Sequence, residues 1–128
     1  MRIHATCLIA ALALAGCAKA AAATVDPDND YDCAITFDFF REAAKIQGAP
    51  DHQRQALFIM NQWFAEEWHH KNPNLVATAD DEMKIVNVIA RDPMSYKDVM
   101  KTCAERAAAD PRFNKFAALM QQNAPDAR

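Results

Sequence analysis

Apolar residues recur every three or four positions in five stretches of the chain after Tyr31, the spacing of one face of an α-helix. Polar residues and prolines separate the stretches. The pattern predicts a first helix that begins at Tyr31 and stops before Gly48, a second over about 50–70, and three more whose apolar faces lie within 83–90, 96–107 and 113–120. We therefore expect an all-α fold, a small bundle of four to five helices.

Residue types at the ends of these stretches support the helical assignment. Gly48 and Pro50 separate the first two stretches, as expected of a glycine after a helix end and a proline near a helix start. Thr78 and Ser95 are predicted N-caps of the third and fourth helices. Asp110 precedes a proline and is the predicted N-cap of the fifth helix.

The third stretch is the one segment whose composition also suits a β-strand. Its β-branched residues favour a strand by propensity alone; they are Ile85, Val86, Val88 and Ile89. The acids at 80–82 stand where the N-terminal partial positive charge of a helix favours them. Together with the three-four spacing, they lead us to predict a helix.

The N-terminus has the organisation of an export signal. Arg2 supplies a positive charge, and Ala5 to Ala15 form an apolar stretch of eleven residues. That length is typical of a signal peptide and is too short for a membrane-spanning helix.

The apolar stretch ends in Leu14-Ala15-Gly16-Cys17, which resembles the lipobox of bacterial lipoproteins. The resemblance covers residues 1–17 only. It implies cleavage before Cys17 and attachment of fatty acyl chains such as palmitate to that residue. Several acyl chains on one residue would anchor the protein stably to a membrane.

The resemblance also implies a location in the cell envelope, facing the periplasm. Ala18 follows the cysteine, whereas an aspartate there favours inner-membrane retention in enterobacterial lipoproteins, so the outer membrane is favoured. The alternative is a soluble periplasmic or secreted protein, cut at the small residues of 18–23 by the general signal peptidase.

These features predict four segments. Residues 1–16 are a signal peptide, 17–30 a lipidated cysteine with a flexible tether, 31–122 the helical domain and 123–128 a frayed tail. As a coil, the 13 tether residues 18–30 would reach about 20 Å.

Two cysteines remain once Cys7 leaves with the signal and Cys17 carries lipid. Cys33 and Cys103 both fall on apolar helix faces, and an oxidising compartment favours their pairing. We predict a disulfide between them. Binding of a soft metal by the two thiolates is the alternative, but no Cys-x-x-Cys spacing supports it.

Composition narrows the functional classes. The net charge is −3, and removal of Arg2 with the signal makes it −4, so the chain lacks the basic character of a nucleic-acid-binding protein. The mature chain has one serine and one glycine, and it contains no recognised nucleophile or phosphate-loop motif. We therefore predict neither catalytic residues nor a cofactor.

One polar cluster, Glu66-Glu67-Trp68-His69-His70, ends the second helix. Glu66 and His70 lie four positions apart on one face, so Glu66, His69 and His70 are weak candidates for a metal site. A solvated helix end, where cationic side chains complement the helix dipole, is the favoured interpretation.

Glu67 falls inside the apolar arc of the second helix. A buried carboxylate needs a partner. We expect either that this helix end projects past the core or that Glu67 pairs with Lys71, four residues on. A functional buried acid is the alternative.

Aromatic residues are dense in the first two helices, and most are predicted core. Phe39 and Phe58 are candidates for an exposed apolar patch, which would indicate a partner or an apolar ligand.

The leading functional hypothesis is a non-enzymatic envelope protein that binds another protein. The alternatives are a carrier of a ligand or metal and a periplasmic stress chaperone. The chaperone hypothesis rests on a similarity in outline to the small acid-stress chaperones of the enteric periplasm, which are also helical, exported and held by one disulfide.

Overall fold

The computed structural model of the chain describes residues 24–123. The predicted lipidation site Cys17, the predicted signal segment 1–16 and residues 124–128 of the predicted tail lie outside the described residues.

Residues 24–123 form five α-helices and no β-strand, so the predicted all-α fold is confirmed. A short 3₁₀ turn, Pro93–Tyr96, precedes the fourth helix. The helices are α1 (Asp30–Ile46), α2 (Asp51–Lys71), α3 (Ala79–Arg91), α4 (Lys97–Ala109) and α5 (Phe113–Asn123).

Two of the predicted boundaries depend on local backbone geometry that the structure confirms. Gly48 has φ of +68° just after α1, a conformation that a Cβ disfavours, and Ala49 N–H donates to Ala44 O across the helix end. Thr78 caps α3 reciprocally with Asp81: the threonine Oγ1 accepts from the Asp81 N–H, and the Asp81 carboxylate accepts from the Thr78 N–H.

The predicted N-cap at Ser95 is wrong. Pro93 starts the 3₁₀ turn, which leads directly into α4 at Lys97, so Ser95 lies inside the turn. Its hydroxyl donates back to the Asp92 carbonyl at 2.9 Å and is directed away from the amides of α4. Ser and Thr readily make such local backbone bonds, which compete with a capping role.

α1 and α2 form an antiparallel hairpin around which the bundle is built. Phe37 of α1 and Phe64 of α2 stack with their ring centroids 6.1 Å apart, and Asn61 donates a hydrogen bond to the Ala34 carbonyl. α5 then covers Trp63 edge-on with Phe113 and Phe116. The main buried cluster consists of Cys33, Ala34, Phe37, Trp63, Phe64, Cys103 and Ala107.

The predicted disulfide joins Cys33 of α1 to Cys103 of α4, and both cysteines are fully buried. Because 70 positions separate them, the bond closes most of the domain into one covalent loop.

The last residues of the predicted tether belong to the packed domain. Val25 is buried, and the Pro27 carbonyl oxygen lies 3.2 Å from Cys33 Sγ. The Asp26 N–H donates to Asp32 Oδ2 at 2.8 Å, which by itself lowers the pKa of Asp32. Burial has the larger effect and, with a smaller contribution from the Asp26 charge, raises that pKa. The fold therefore extends to Val25, ahead of the expected start at 31.

Asp30, the first residue of α1, is a buried carboxylate with two cationic partners. Its side chain is 5% exposed, and it accepts from Lys71 Nζ of α2 and from Arg106 Nη1 of α4, each at 2.6 Å. Arg106 also lies over the Phe64 ring at 4.8 Å and places Nη2 3.3 Å from Cys33 Sγ. One charged group thus joins the ends of three helices beside the disulfide.

Removal of the disulfide should lower the free energy of unfolding. By the chain-entropy relation a loop of this length is worth about 4 kcal/mol. Urea denaturation of the Cys33→Ala/Cys103→Ala variant tests this value. Addition of reductant should lower the free energy of unfolding of the wild type to that of the variant and leave the variant unchanged. If removal of the disulfide lowers the free energy of unfolding by less than about 1 kcal/mol, the entropic role is contradicted.

Arg106→Met should destabilise the domain by about 2–3 kcal/mol, because it leaves a buried carboxylate with one partner in place of two. The matched control is Arg54→Met, which removes an arginine whose one ionic partner within residues 24–123 is Asp51 on its own exposed helix turn. We expect a change of about 0.5 kcal/mol or less for the control. Equal losses for the two variants in urea denaturation would show that the buried pair contributes no more than a surface pair.

Candidate functional site

A groove lies between the C-terminal turns of α2 and the connection from α4 to α5. Its volume is about 530 Å³, and it is open to solvent on one side. It contains the whole predicted polar cluster except Trp68, and its lining residues are Ala65, Glu66, Glu67, His69, His70 and Arg112.

The expectation for Glu67 is wrong in both its forms. The side chain is only 15% exposed, so this part of α2 does not project past the core. It accepts from Arg112 Nη2 at 3.0 Å, whereas Lys71 is directed to Asp30. The partner comes from the α4–α5 connection, 45 positions away, so helical spacing could not identify it.

Arg112 is held between two carboxylates. Nε and Nη2 donate to Asp110, and Nη2 also donates to Glu67, while the guanidinium lies 5.4 Å from the centre of the Trp63 ring. The hydrogen bonds that Arg112 donates, first to Asp110 and then to Glu67, raise the pKa of Arg112, and those to Asp110 lower the pKa of Asp110. The triad joins α2 to the start of α5.

The predicted N-cap at Asp110 is wrong, because α5 begins three residues later at Phe113 and Asp110 is the C-cap residue of α4. Its Oδ1 accepts from the Arg112 backbone N–H at 2.9 Å, and its carbonyl accepts from the Phe113 N–H at the start of α5. The carboxylate therefore holds both the backbone and the side chain of Arg112.

The weak metal candidates Glu66, His69 and His70 are all exposed at the groove rim. Within residues 24–123, no group of three or more His, Cys, Asp or Glu side chains is arranged to hold a metal ion.

The two phenylalanines proposed as an exposed patch are both half-buried. Phe39 packs edge-on against Phe40, and the Arg41 guanidinium covers the Phe58 ring at 5.4 Å. The patch expected there is therefore not formed by these residues.

Exposed apolar side chains concentrate instead in residues 72–96, which we call the peripheral segment. It comprises the α2–α3 connection, α3 and the 3₁₀ turn. Of the six strongly exposed large apolar residues in the described part of the chain, it contains four; these are Leu75, Val76, Met83 and Met94.

Met83 falls on the apolar face of α3 by its three-four spacing to Val86, Ile89 and Ala90, but it is about half exposed. α3 packs chiefly against α1 and buries only Ile89 completely, so little of the bundle is available to cover its flanks. For Leu75 and Val76, the sequence signal was their position between Pro73 and the cap Thr78, where a turn normally carries polar residues.

Acidic side chains lie within the peripheral segment, on the first turn of α3. Asp80, Asp81 and Glu82 are exposed on the first turn of α3. The ring of Tyr31 packs against that of Trp68, with the ring centroids 5.2 Å apart. Burial is the largest cause that raises the pKa of Tyr31, and the negative charges of Glu82 and Asp81 raise it further. The segment therefore combines exposed apolar groups with local negative charge.

Comparison with known proteins gives no match to a family model, to a curated protein or to a solved structure. Among the residues that the structure describes, no helix is both long and apolar enough to cross a bilayer.

Arg112→Gln should raise the pKa of Asp110 towards its ordinary value, because the charged donor that stabilises the carboxylate is lost. A lowered folded-state pKa gives stability above the unfolded-state pKa of about 3.8 that disappears as the pH falls through the folded-state value. The variant should therefore lose less stability than the wild type over that acidic range.

Carbon-13 NMR titration of the carboxyl groups measures the change directly. Asp81 is the internal control, because its pKa is lowered by Thr78 and Lys84 and should not move in the variant. An unchanged Asp110 pKa in Arg112→Gln would contradict the assigned cause.

Proposed function

We propose that this protein is a lipid-anchored protein of the bacterial envelope whose helical domain binds another protein through the peripheral segment. The lipobox at 14–17 supports the anchor, and the fold supports a small domain presented on it. The main support is that one stretch of sequence holds four of the six strongly exposed large apolar residues of the described chain, namely Leu75, Val76, Met83 and Met94.

Where exposed apolar side chains form one contiguous patch, they are typical of an interaction site. Methionine suits such a surface because its flexible, polarisable side chain adapts to a partner. Met83 and Met94 lie on the same peripheral segment and contribute little to the core, so selection for folding alone gives no reason for their size and hydrophobicity.

The acids at the start of α3 indicate the chemistry of the partner. Asp81 is engaged in the helix cap, but Asp80 and Glu82 are exposed and free of a role in capping. A partner surface with an apolar centre and a basic rim would complement this arrangement. We propose a protein of that kind in the same envelope compartment.

The anchor has its own test. The mass of the mature N-terminal peptide should correspond to an acylated Cys17, and Cys17→Ser should move the protein from the membrane fraction to the soluble fraction. If the mature chain begins within 18–24 and carries no lipid, the protein is secreted and the proposed anchor is wrong.

Photo-crosslinking in intact cells tests the protein partner. Photoreactive residues at Met83 and Met94 should yield the same single adduct, and one at Lys101, exposed on α4, should yield none. The paired charge reversal Asp80→Lys/Glu82→Lys, which leaves the Thr78–Asp81 cap intact, should abolish the adduct. An adduct that forms equally from Lys101, or that survives the charge reversal, would contradict the proposed surface.

A further inference from the structure

The entry of the chain into the domain and the exposed pair Leu75-Val76 lie at the same end of the bundle. α1 and α2 are antiparallel, so the first residue of α1 meets the last residue of α2: Asp30 Oδ2 lies 2.6 Å from Lys71 Nζ. Leu75 follows within four residues, and its N–H donates to the Asn72 carbonyl. We call this end, which comprises residues 25–31 and 68–76, the anchor end.

The chain between the lipid and the domain is short. Val25 is already buried, so seven residues, 18–24, separate it from Cys17. Even fully extended, the eight residue steps from Cys17 to Val25 span only about 26–29 Å at 3.3–3.6 Å per step. By comparison, the 21 residues of α2 extend about 31 Å along the bundle.

A lipid on Cys17 therefore confines the anchor end to the neighbourhood of the bilayer, while the opposite end can lie much farther away. Leu75 and Val76 are the large apolar side chains most exposed at the anchor end, at 56% and 85%. Exposure of these two side chains to water is unfavourable. The bilayer interface is the nearest apolar phase that residues 18–24 allow them to reach.

We infer that Leu75 and Val76 insert into the interface of the membrane that carries the lipid anchor and thereby fix the orientation of the domain. This inference rests on the proposed anchor at Cys17. It assigns the first part of the peripheral segment to lipid and leaves Met83 and Met94 for the protein partner. The domain would then stand on its anchor end and present α3 beside the membrane.

Charge indicates which lipid surface suits this contact. Asp26 and Asp28 are exposed at the anchor end, and the charges of Glu82 and Asp81 act on Tyr31 there, whereas Lys71 is engaged with Asp30. Anionic headgroups would be repelled by these carboxylates. Zwitterionic phosphatidylcholine vesicles are therefore the appropriate probe.

The test uses the mature lipidated chain in vesicles whose acyl chains carry bromine, which quenches tryptophan fluorescence on contact. Val76→Trp places a reporter in the proposed contact. Ile46→Trp is the matched control, because Ile46 is 86% exposed and ends α1 at the opposite end of the bundle. The wild type supplies the background from Trp63 and Trp68.

The fluorescence added by Val76→Trp should be lost in brominated vesicles, and that added by Ile46→Trp should be retained. Equal quenching of the two reporters, or quenching of neither, would overturn the inference.

Hydrogen exchange provides a second measurement that needs no reporter. In the wild type on vesicles, the amides of 74–77 should exchange more slowly than in the unlipidated Cys17→Ser chain, while those of 47–49 should not change. Unchanged exchange at 74–77 would also overturn the inference.

The mass of the Cys17 peptide in the same sample separates the two proposals. If Cys17 is acylated but Val76 does not contact lipid, the proposed anchor is correct and the proposed membrane insertion of Leu75 and Val76 is wrong. An unmodified Cys17 means that the anchor itself has failed.

Discussion

The structure depends on one buried carboxylate. Asp30 stands at the start of α1 with almost no solvent around it, and an unpaired charge there would be strongly destabilising. Lys71 from the end of α2 and Arg106 from α4 compensate it. Because each cation comes from a different helix, the requirement to neutralise Asp30 fixes how three helix ends meet.

The disulfide lies against this ion-pair cluster. Arg106 touches Asp30, the Phe64 ring and Cys33 Sγ, so the same side chain connects the charged cluster, the aromatic core and the covalent bond. The turn before α1 completes the arrangement, since Pro27 contacts the disulfide sulfur and Val25 is buried. The chain therefore enters the fold at its most heavily crosslinked point, which suits a domain held through its N-terminus.

The proposed function follows from the contrast between this end and the peripheral segment. The hairpin α1–α2 and the helices α4 and α5 share one core, whereas α3 buries little beyond Ile89. Exposed apolar residues and acids are concentrated on α3 and its flanking turns, the part of the domain that packs least against the core. A short connection to a lipidated Cys17 would place part of that surface against lipid and the rest beside it, where a partner in the envelope can reach it.

The sequence alone determined the helices, most of their ends and the Cys33–Cys103 pair, because three-four periodicity, capping residues and the elimination of other cysteines are local or compositional information. Only the tertiary structure decided what depends on distant partners. Glu67 pairs with Arg112, Lys71 with Asp30, and Val25 is buried rather than part of a free tether. Met83 shares the apolar face of α3 yet stays exposed, because helical periodicity shows which face is apolar but not whether a neighbour covers it.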